Sequence, residues 1–251
     1  MIEALDPNKD LISEVAVKAS KRALCIFAHP DDLEFTCGGV VAKLALDGWS
    51  VDIVITTSGN KGTKDPNVTG QQLAGEREQE SRAAASILKA NEPKFLGFPD
   101  GMLQANDELR ELLVREIRRL RPELVITWDG FRPGFNHRDH RVTGISTYDA
   151  IYPAADDHLF HPDQKDEGLE PHRPSAMLLA GTDEPDYHID IESFMDIKIS
   201  ALLAHASQMG GRDAEGLKRM YQERIQASAV DEATASLPKL RESFKKVILR
   251  R

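Results

Sequence analysis

Ala28 to Gly39, AHPDDLEFTCGG, places a histidine, three carboxylates and a glycine pair directly after an apolar run, Ala23 to Ala28. That run predicts a buried strand. Pro30 fixes its own φ and has no backbone N–H, so the strand's hydrogen-bond ladder ends there and the chain turns. In an α/β protein, ligands sit beyond the carboxyl ends of parallel strands, so His29, Asp31 and Asp32 fall on irregular backbone where such a fold places its chemistry. Two adjacent carboxylates repel, and burying them is costly unless a cation or strong donors compensate. A metal held by His29 and Asp32 is an economical compensation, and Asp31 can face the same point without ligating, free to take a proton from water. The competing reading is an Asx-type turn in which both aspartates cap the helix that starts near Phe35.

A second cluster, Asn136-His137-Arg138-Asp139-His140, weighs against that simpler reading. Its two histidines are three residues apart and face one side of a helical turn, so both can reach a common point. His29, Asp32 and one of this pair make a set of two histidines and one carboxylate with an open position, as catalytic zinc sites have. His140 is the ligand chosen here, being nearer the regular helix, and His137 is left across the substrate as general acid; spacing alone leaves the two interchangeable. Asp139 is expected to orient His137 or His140 as a supporting carboxylate.

Around these clusters the chain alternates helix and strand. Helix is expected over Gly38 to Leu46, Gln71 to Lys89, Glu108 to Arg121, from Asp139 or His140 to Ala155, and over Glu192 to Gln208. Strands are expected at Val51 to Thr56, Lys94 to Phe98, Leu124 to Trp128, Ala176 to Ala180 and Tyr187 to Ile191. The sum is an α/β fold, Rossmann-like, with a mostly parallel sheet flanked by helices. The whole of 1–251 is expected to be a single domain, with an N-terminal helix over about 1–21 and a charged helical C-terminal tail over about 211–251. The loop Thr57 to Thr69 follows the second strand and should wall the site, and Pro99-Asp100-Gly101 sets Asp100 at a third strand end. The acidic, proline-containing segment 156–174 carries His158, His161 and His172 without apolar period, and is expected to be a solvated surface loop. Cys25 and Cys37 are expected to be packed thiols.

The formal net charge of −9 argues against a protein built to bind nucleic-acid backbone. Mean hydropathy of −0.40 and the lack of a long apolar run give no membrane span or signal segment, so the expected location is cytoplasmic. Self-association into a homo-oligomer is left open.

The residues carry a resemblance. AHPDDLE followed by Gly38-Gly39, a helix with Arg77-Glu78-Gln79-Glu80, then Pro99-Asp100-Gly101, then His137-Arg138-Asp139-His140, and finally Ala201 to Gln208, ALLAHASQ, is similar to the LmbE-like (PIG-L) de-N-acetylases. The resemblance spans roughly Arg22 to Gln208. It implies a zinc-dependent N-deacetylase acting on a small N-acetylglucosamine-type conjugate, Zn2+ being the expected cofactor and Fe2+ another divalent candidate. It carries metal ligation onto His29, Asp32 and His140, the general base onto Asp31, and the acid or oxyanion role onto His137, with Asp139 beside it. It also places Arg77 and Asp100 against the sugar, although neighbouring glutamates make a surface ion pair an equal reading for Arg77. The acid that follows Asp-Asp in many members is displaced by one here, to Glu34, which is expected to support the site without ligating. Two rivals stand beside this function: a non-haem iron oxygenase using two histidines and one carboxylate as a facial triad, and a sugar-binding module of the same fold without turnover. No G-x-G-x-x-G follows the first strand, which counts against dinucleotide binding.

Overall fold

Strand β1 (Arg22–Phe27) is buried at every position after Arg22, and β4 (Leu124–Trp128) and β5 (Ala176–Ala180) are buried throughout. Continuous burial of this kind marks strands covered on both faces. The computed structural model describes residues 10–18, 20–134, 137–228 and 237–249. β2 (Ser50–Thr57) and β3 (Lys94–Phe98) extend the sheet on one side of β1, and β4 and β5 on the other. All of these pairs are parallel. Among the described residues the sheet has seven strands in the order β3-β2-β1-β4-β5-β7-β6, where β6 is Tyr187–Asp190 and β7 is Arg241–Ile248, antiparallel to both its neighbours. The chain leaves β1 in one direction and later returns to its other side with β4. A crevice therefore opens at the carboxyl ends of β1 and β4, where an open α/β sheet binds its ligand.

Helices cover both faces. On one lie α1 (Leu11–Lys18), α2 (Asp32–Leu46), α3 (Gly70–Leu88) and α7 (Met195–Leu203); on the other lie α4 (Asp107–Leu120) and α5 (Arg138–Asp149), with the short α6 (Asp163–Asp166) held to α4 through Gln164. Thr69 and Gln72 form a capping box at the start of α3, and Asn106 caps α4 through Leu109 N–H. Leu109, Leu113, Val114 and Ile117 turn one face of α4 into the second core. Two close approaches require glycine. A Cβ on Gly39 would lie 2.8 Å from Ile191, and one on Gly144 would lie 2.4 Å from Trp128 O, so only glycine lets α5 rest against the end of β4.

Most expected elements are present with ends shifted by a few residues. The expected helix from Asp139 to Ala155 is regular only to Asp149 and continues as a wider turn, Ala150–Ala155, around Pro153. Glu192 to Gln208 divides into a short 3₁₀ turn, α7 and a further short helix, Ala206–Met209. At the N-terminus the expected helix over about 1–21 is described as α1 alone, with Leu11, Ile12 and Val15 buried; Ser20 and Lys21 lie beyond its end and are not helical, and residues 1–9 and Ala19 fall outside the described residues.

The helical C-terminal tail is corrected. A helix runs over Ala214–Ser228, but Arg241–Ile248 is strand β7, inserted between β5 and β6. Its inward row holds Phe244 and also Glu242, which is only 4% exposed, and a carboxylate in the buried row hides the alternation that identifies a strand. The solvated loop 156–174 is corrected in part. His158 is exposed, but His172 is buried with Nε2 2.7 Å from Pro122 O. The buried guanidinium of Arg118 donates to the carbonyls of Ala154, Asp157 and Phe160, each at 2.9 Å, and so packs the segment down. That partner lies on α4, far away in sequence.

Candidate active site

The turn after β1 and the start of α5 meet at the crevice. Asp31 has φ 94°, a left-handed conformation that costs a non-glycine residue energy and persists only when its surroundings hold it. Arg77, on α3, holds this one. Arg77 is 4% exposed, and its guanidinium donates to Pro30 O at 2.6 Å, to Gly59 O at 2.9 Å and to Asp31 Oδ2 at 3.3 Å. The surface ion pair with neighbouring glutamates is therefore excluded for Arg77, and its two terminal nitrogens are engaged by the walls of the site.

Asp32 opens α2 and turns back into the crevice. Its Oδ2 accepts from the backbone N–H of Ala28 and His29 and from Trp128 Nε1, at 3.1, 2.9 and 3.1 Å. His29 Nδ1 lies 3.4 Å from Asp32 Oδ2 and 3.2 Å from His140 Nε2, and His140 Nε2 lies 3.2 Å from Asp32 Oδ1. The Trp128 ring stacks on His140 at 4.2 Å between centroids and fixes its plane. His137, the residue before α5, stacks on His140 at 4.5 Å and meets His29 edge-on at 4.6 Å.

The other nitrogen of His29 faces two more carboxylates: Asp100 Oδ1 at 3.2 Å and Asp139 Oδ2 at 3.3 Å. Asp139 is fully buried and also accepts from Gly101 N–H at 2.6 Å and Leu103 N–H at 3.2 Å. The expectation that Asp139 orients His137 or His140 is thus corrected: its carboxylate orients His29. A side chain at the first turn of α5 points back across the crevice, which a neighbour-based argument from the HRDH run could not foresee. Asp100 sits at the rim as expected, but it too is committed within the protein, through His29 and through Lys61 N–H at 3.0 Å.

The electrostatics follow from burial among like charges. Burial opposes a charged His29, yet Asp32, Asp100 and Asp139 outweigh it and push its pKa up to about 11, so that without a metal a proton occupies the place a cation would take. Burial likewise opposes ionisation of Asp32, but His140 and His29 hold it well below the usual carboxylate range. Asp31 goes the other way: burial and the Asp32 charge push it up to about 7, against the pull of Arg77. Burial, with His29 and His140, lowers His137, so its ring is neutral near pH 7. Its Nδ1 accepts from Asp139 N–H at 3.3 Å, which leaves the proton on Nε2.

Whether this donor set fits a metal can be judged from its edges. Ligand atoms about 2.0–2.1 Å from a tetrahedral zinc lie about 3.3 Å from one another, and the edges between His29 Nδ1, His140 Nε2 and the Asp32 carboxylate are 3.2–3.4 Å. The carboxylates behind Nε2 of His29 match the support that metal-ligating histidines receive. Asp32 meets His140 through Oδ1 and His29 through Oδ2, and among the described residues the sets that bring one donor each within 4.8 Å are His29, His137 and His140, and His29, Asp100 and Asp139. Both alternatives share His29. Residues that the motif reading did not single out also shape the site: Trp128, and Lys61, whose Nζ donates to Asp100 O at 2.6 Å. Their signal was position alone, at the end of one strand and in the loop after another. Glu34 is buried 3.2 Å from His205 Nε2, supporting the turn from behind.

Comparison with known proteins agrees with this architecture. Residues 24–151 match the family model described as PIG-L, GlcNAc-PI de-N-acetylase. The chain is similar to a diacetylchitobiose deacetylase of Thermococcus kodakarensis, 35% identical over 75% of this chain and 70% of that one. It is also similar to a probable N-acetyl-alpha-D-glucosaminyl L-malate deacetylase of Bacillus anthracis, 28% identical over 83% and 90% of the two chains. Among solved structures, the N,N'-diacetylchitobiose deacetylase of Pyrococcus horikoshii superposes with a TM-score of 0.84 at 28% identity, over 93% of this chain and 86% of that one. Family model, sequence relatives and superposed fold coincide on the segment that builds the crevice, and the chain belongs to the PIG-L (LmbE-like) family of de-N-acetylases.

Proposed function

We propose that the protein is a zinc-dependent amide hydrolase that removes acetyl from an N-acetylglucosamine-type conjugate, with the metal held by His29, Asp32 and His140. The observation that carries this reading is the meeting of His29 Nδ1, His140 Nε2 and the two oxygens of Asp32 at 3.2–3.4 Å, with Asp31 held beside them. A zinc ion bound there supplies a Lewis acid for the acetyl carbonyl and lowers the pKa of its water toward neutrality. The chain's own residues do the rest. Asp31, with a pKa near the working pH, accepts the proton of the attacking water. Arg77 keeps that carboxylate in its left-handed turn and restrains its rise in pKa. His137 presents Nε2–H as a hydrogen-bond donor where negative charge develops on the acetyl oxygen, and the departing amine takes the proton that Asp31 received from the water. Asp100 and Asp139 hold the plane of His29, while Asp32 is oriented by three N–H donors.

A facial-triad oxygenase has no use for a carboxylate poised beside the triad near neutral pKa, and amide hydrolysis requires one. The substrate class rests on the relatives, whose named substrates include a neutral disaccharide and an anionic malate conjugate. A cytoplasmic location is part of the same proposal; among the described residues no helix is long and apolar enough to cross a membrane. The test is acetate release from diacetylchitobiose and from N-acetylglucosaminyl malate by the zinc-loaded protein. Release abolished by a chelator and restored by zinc is expected. Absence of release from either conjugate overturns the proposal.

A further inference from the structure

A groove of about 570 Å³, whose lining shares no residue with the donor triangle, lies on the α4–α5 side of the sheet beside β5 and β7. Its floor is apolar, formed by Leu179 of β5 and Val247 of β7, and one wall is the pair Phe131 and Tyr148. These rings meet edge to face at 5.2 Å and remain 55% and 37% exposed, an unusual exposure for two adjacent aromatic side chains. The volume and apolar lining are those of a small-molecule site, not of a packing defect.

The charges at the rim select the ligand. Arg132 pairs with Asp183 at 2.8 Å and donates to Gly181 O at 3.0 Å, and Lys245 pairs with Glu184 at 3.3 Å. The remaining charge is Asp129, whose carboxylate accepts Phe131 N–H at 3.1 Å. Two cations against three carboxylates leave the lining with one net negative charge, which disfavours an anion. The ion-paired rim offers hydrogen-bonding groups on both sides and so disfavours a purely aliphatic chain. What complements an aromatic wall, an apolar floor and an ion-paired polar rim is an uncharged molecule with one apolar face and a hydroxylated edge. A pyranose ring has that form. We propose that this groove is a second carbohydrate-binding site, which takes an uncharged glycan by stacking on Phe131 and Tyr148 with its hydroxyls toward Arg132, Asp183 and Glu184.

The test is calorimetric titration of the full-length protein with cellotetraose, a neutral glycan without an acetamide, alongside acetate release measured separately. Wild type is expected to bind, and Phe131→Ala and Tyr148→Ala each to weaken binding about tenfold, the loss of one stacked ring and the area it covers. Acetate release from N-acetylglucosamine should be unchanged in both, since neither ring contacts the donor triangle. Phe131→Leu separates stacking from simple apolar contact: it should bind as weakly as Phe131→Ala. No binding by wild type, unaltered binding in both alanine variants, or wild-type binding by Phe131→Leu each overturns the assignment. The proposal for amide hydrolysis stands or falls separately on the acetate-release assay.

Discussion

Replacing Arg77 by alanine removes a guanidinium that ties together two walls of the crevice. Hydrogen bonds to a charged group contribute about 1.5–3 kcal/mol each. The two carbonyl bonds, to Pro30 and Gly59, together set an upper figure of about 3–6 kcal/mol. Water entering the vacated space recovers part of this, so a loss of about 3 kcal/mol is expected, which for a domain of this size lowers Tm by about 6–12 °C. The catalytic effect has a sign as well. Burial and the Asp32 charge raise Asp31 to about 7 while Arg77 pulls it down, so removing Arg77 raises it further. A base must be ionised to work, so activity rises with pH through this pKa, and the acid limb of the rate profile moves to higher pH in the variant. Arg77→Lys keeps a charge but not the planar fork, and should preserve more of the pH profile than of the Tm. Because the terminal nitrogens of Arg77 are bonded inside the protein, the loss in kcat/KM should be equal for a neutral and an anionic N-acetylglucosamine conjugate. Calorimetric melting and pH-rate profiles of acetate release on both substrates measure all of this. A Tm within 1 °C of wild type, with the kinetic loss confined to the anionic conjugate, would refute the clamp and return Arg77 to substrate recognition.

His29→Ala, Asp32→Ala and His140→Ala should each lower bound zinc, measured by elemental analysis after dialysis, since each removes one of three protein ligands; unchanged stoichiometry and affinity in all three would rule out this ligand set. Asp31→Asn should retain zinc and lose about 100- to 10,000-fold in kcat, the usual contribution of a general base, and wild-type turnover would make Asp31 structural. Glu242→Ala should destabilise the fold by about 3–5 kcal/mol, because it leaves Lys198 charged and unpaired in the core. The double change Lys198→Met with Glu242→Leu should recover much of that loss in Tm, and no recovery would mean that Glu242 acts chiefly through its other bonds.

Sequence alone was informative where cause and effect are neighbours. Pro30 ends β1, the periodicity of α4 is local, and the AHPDD and HRDH runs announce the donors because each run carries its own chemistry. It was silent where the partner is distant. Asp139 is adjacent to His140 in sequence, yet its carboxylate lies against His29 on another element. Arg77 is flanked by glutamates in the sequence, but is buried against Pro30 and Gly59. The same reasoning applies to β7, whose inward Glu242 made an edge-proximal strand look like charged tail.

Glu242 also joins β7 to the helix that follows the turn of Asp31 and Asp32. α2 is not a continuous helix: Cys37 has φ −139° and ψ 17°, so the backbone N–H groups that restart the helix, those of Gly39 and Val40, need acceptors. Glu242 supplies both, at 2.9 and 2.7 Å, while Lys198 neutralises it at 2.5 Å and donates to Phe35 O at 3.0 Å. Phe35 stands between Asp32 and the break. The lysine from α7 and the carboxylate from β7 therefore hold both sides of the discontinuity in the helix that begins with Asp32. A break allowed to relax would strain the bonds of Asp32 to Ala28, His29 and Trp128, and through Trp128 the plane of His140. The donor cluster thus depends on a strand more than two hundred residues downstream of the turn that carries His29 and Asp32.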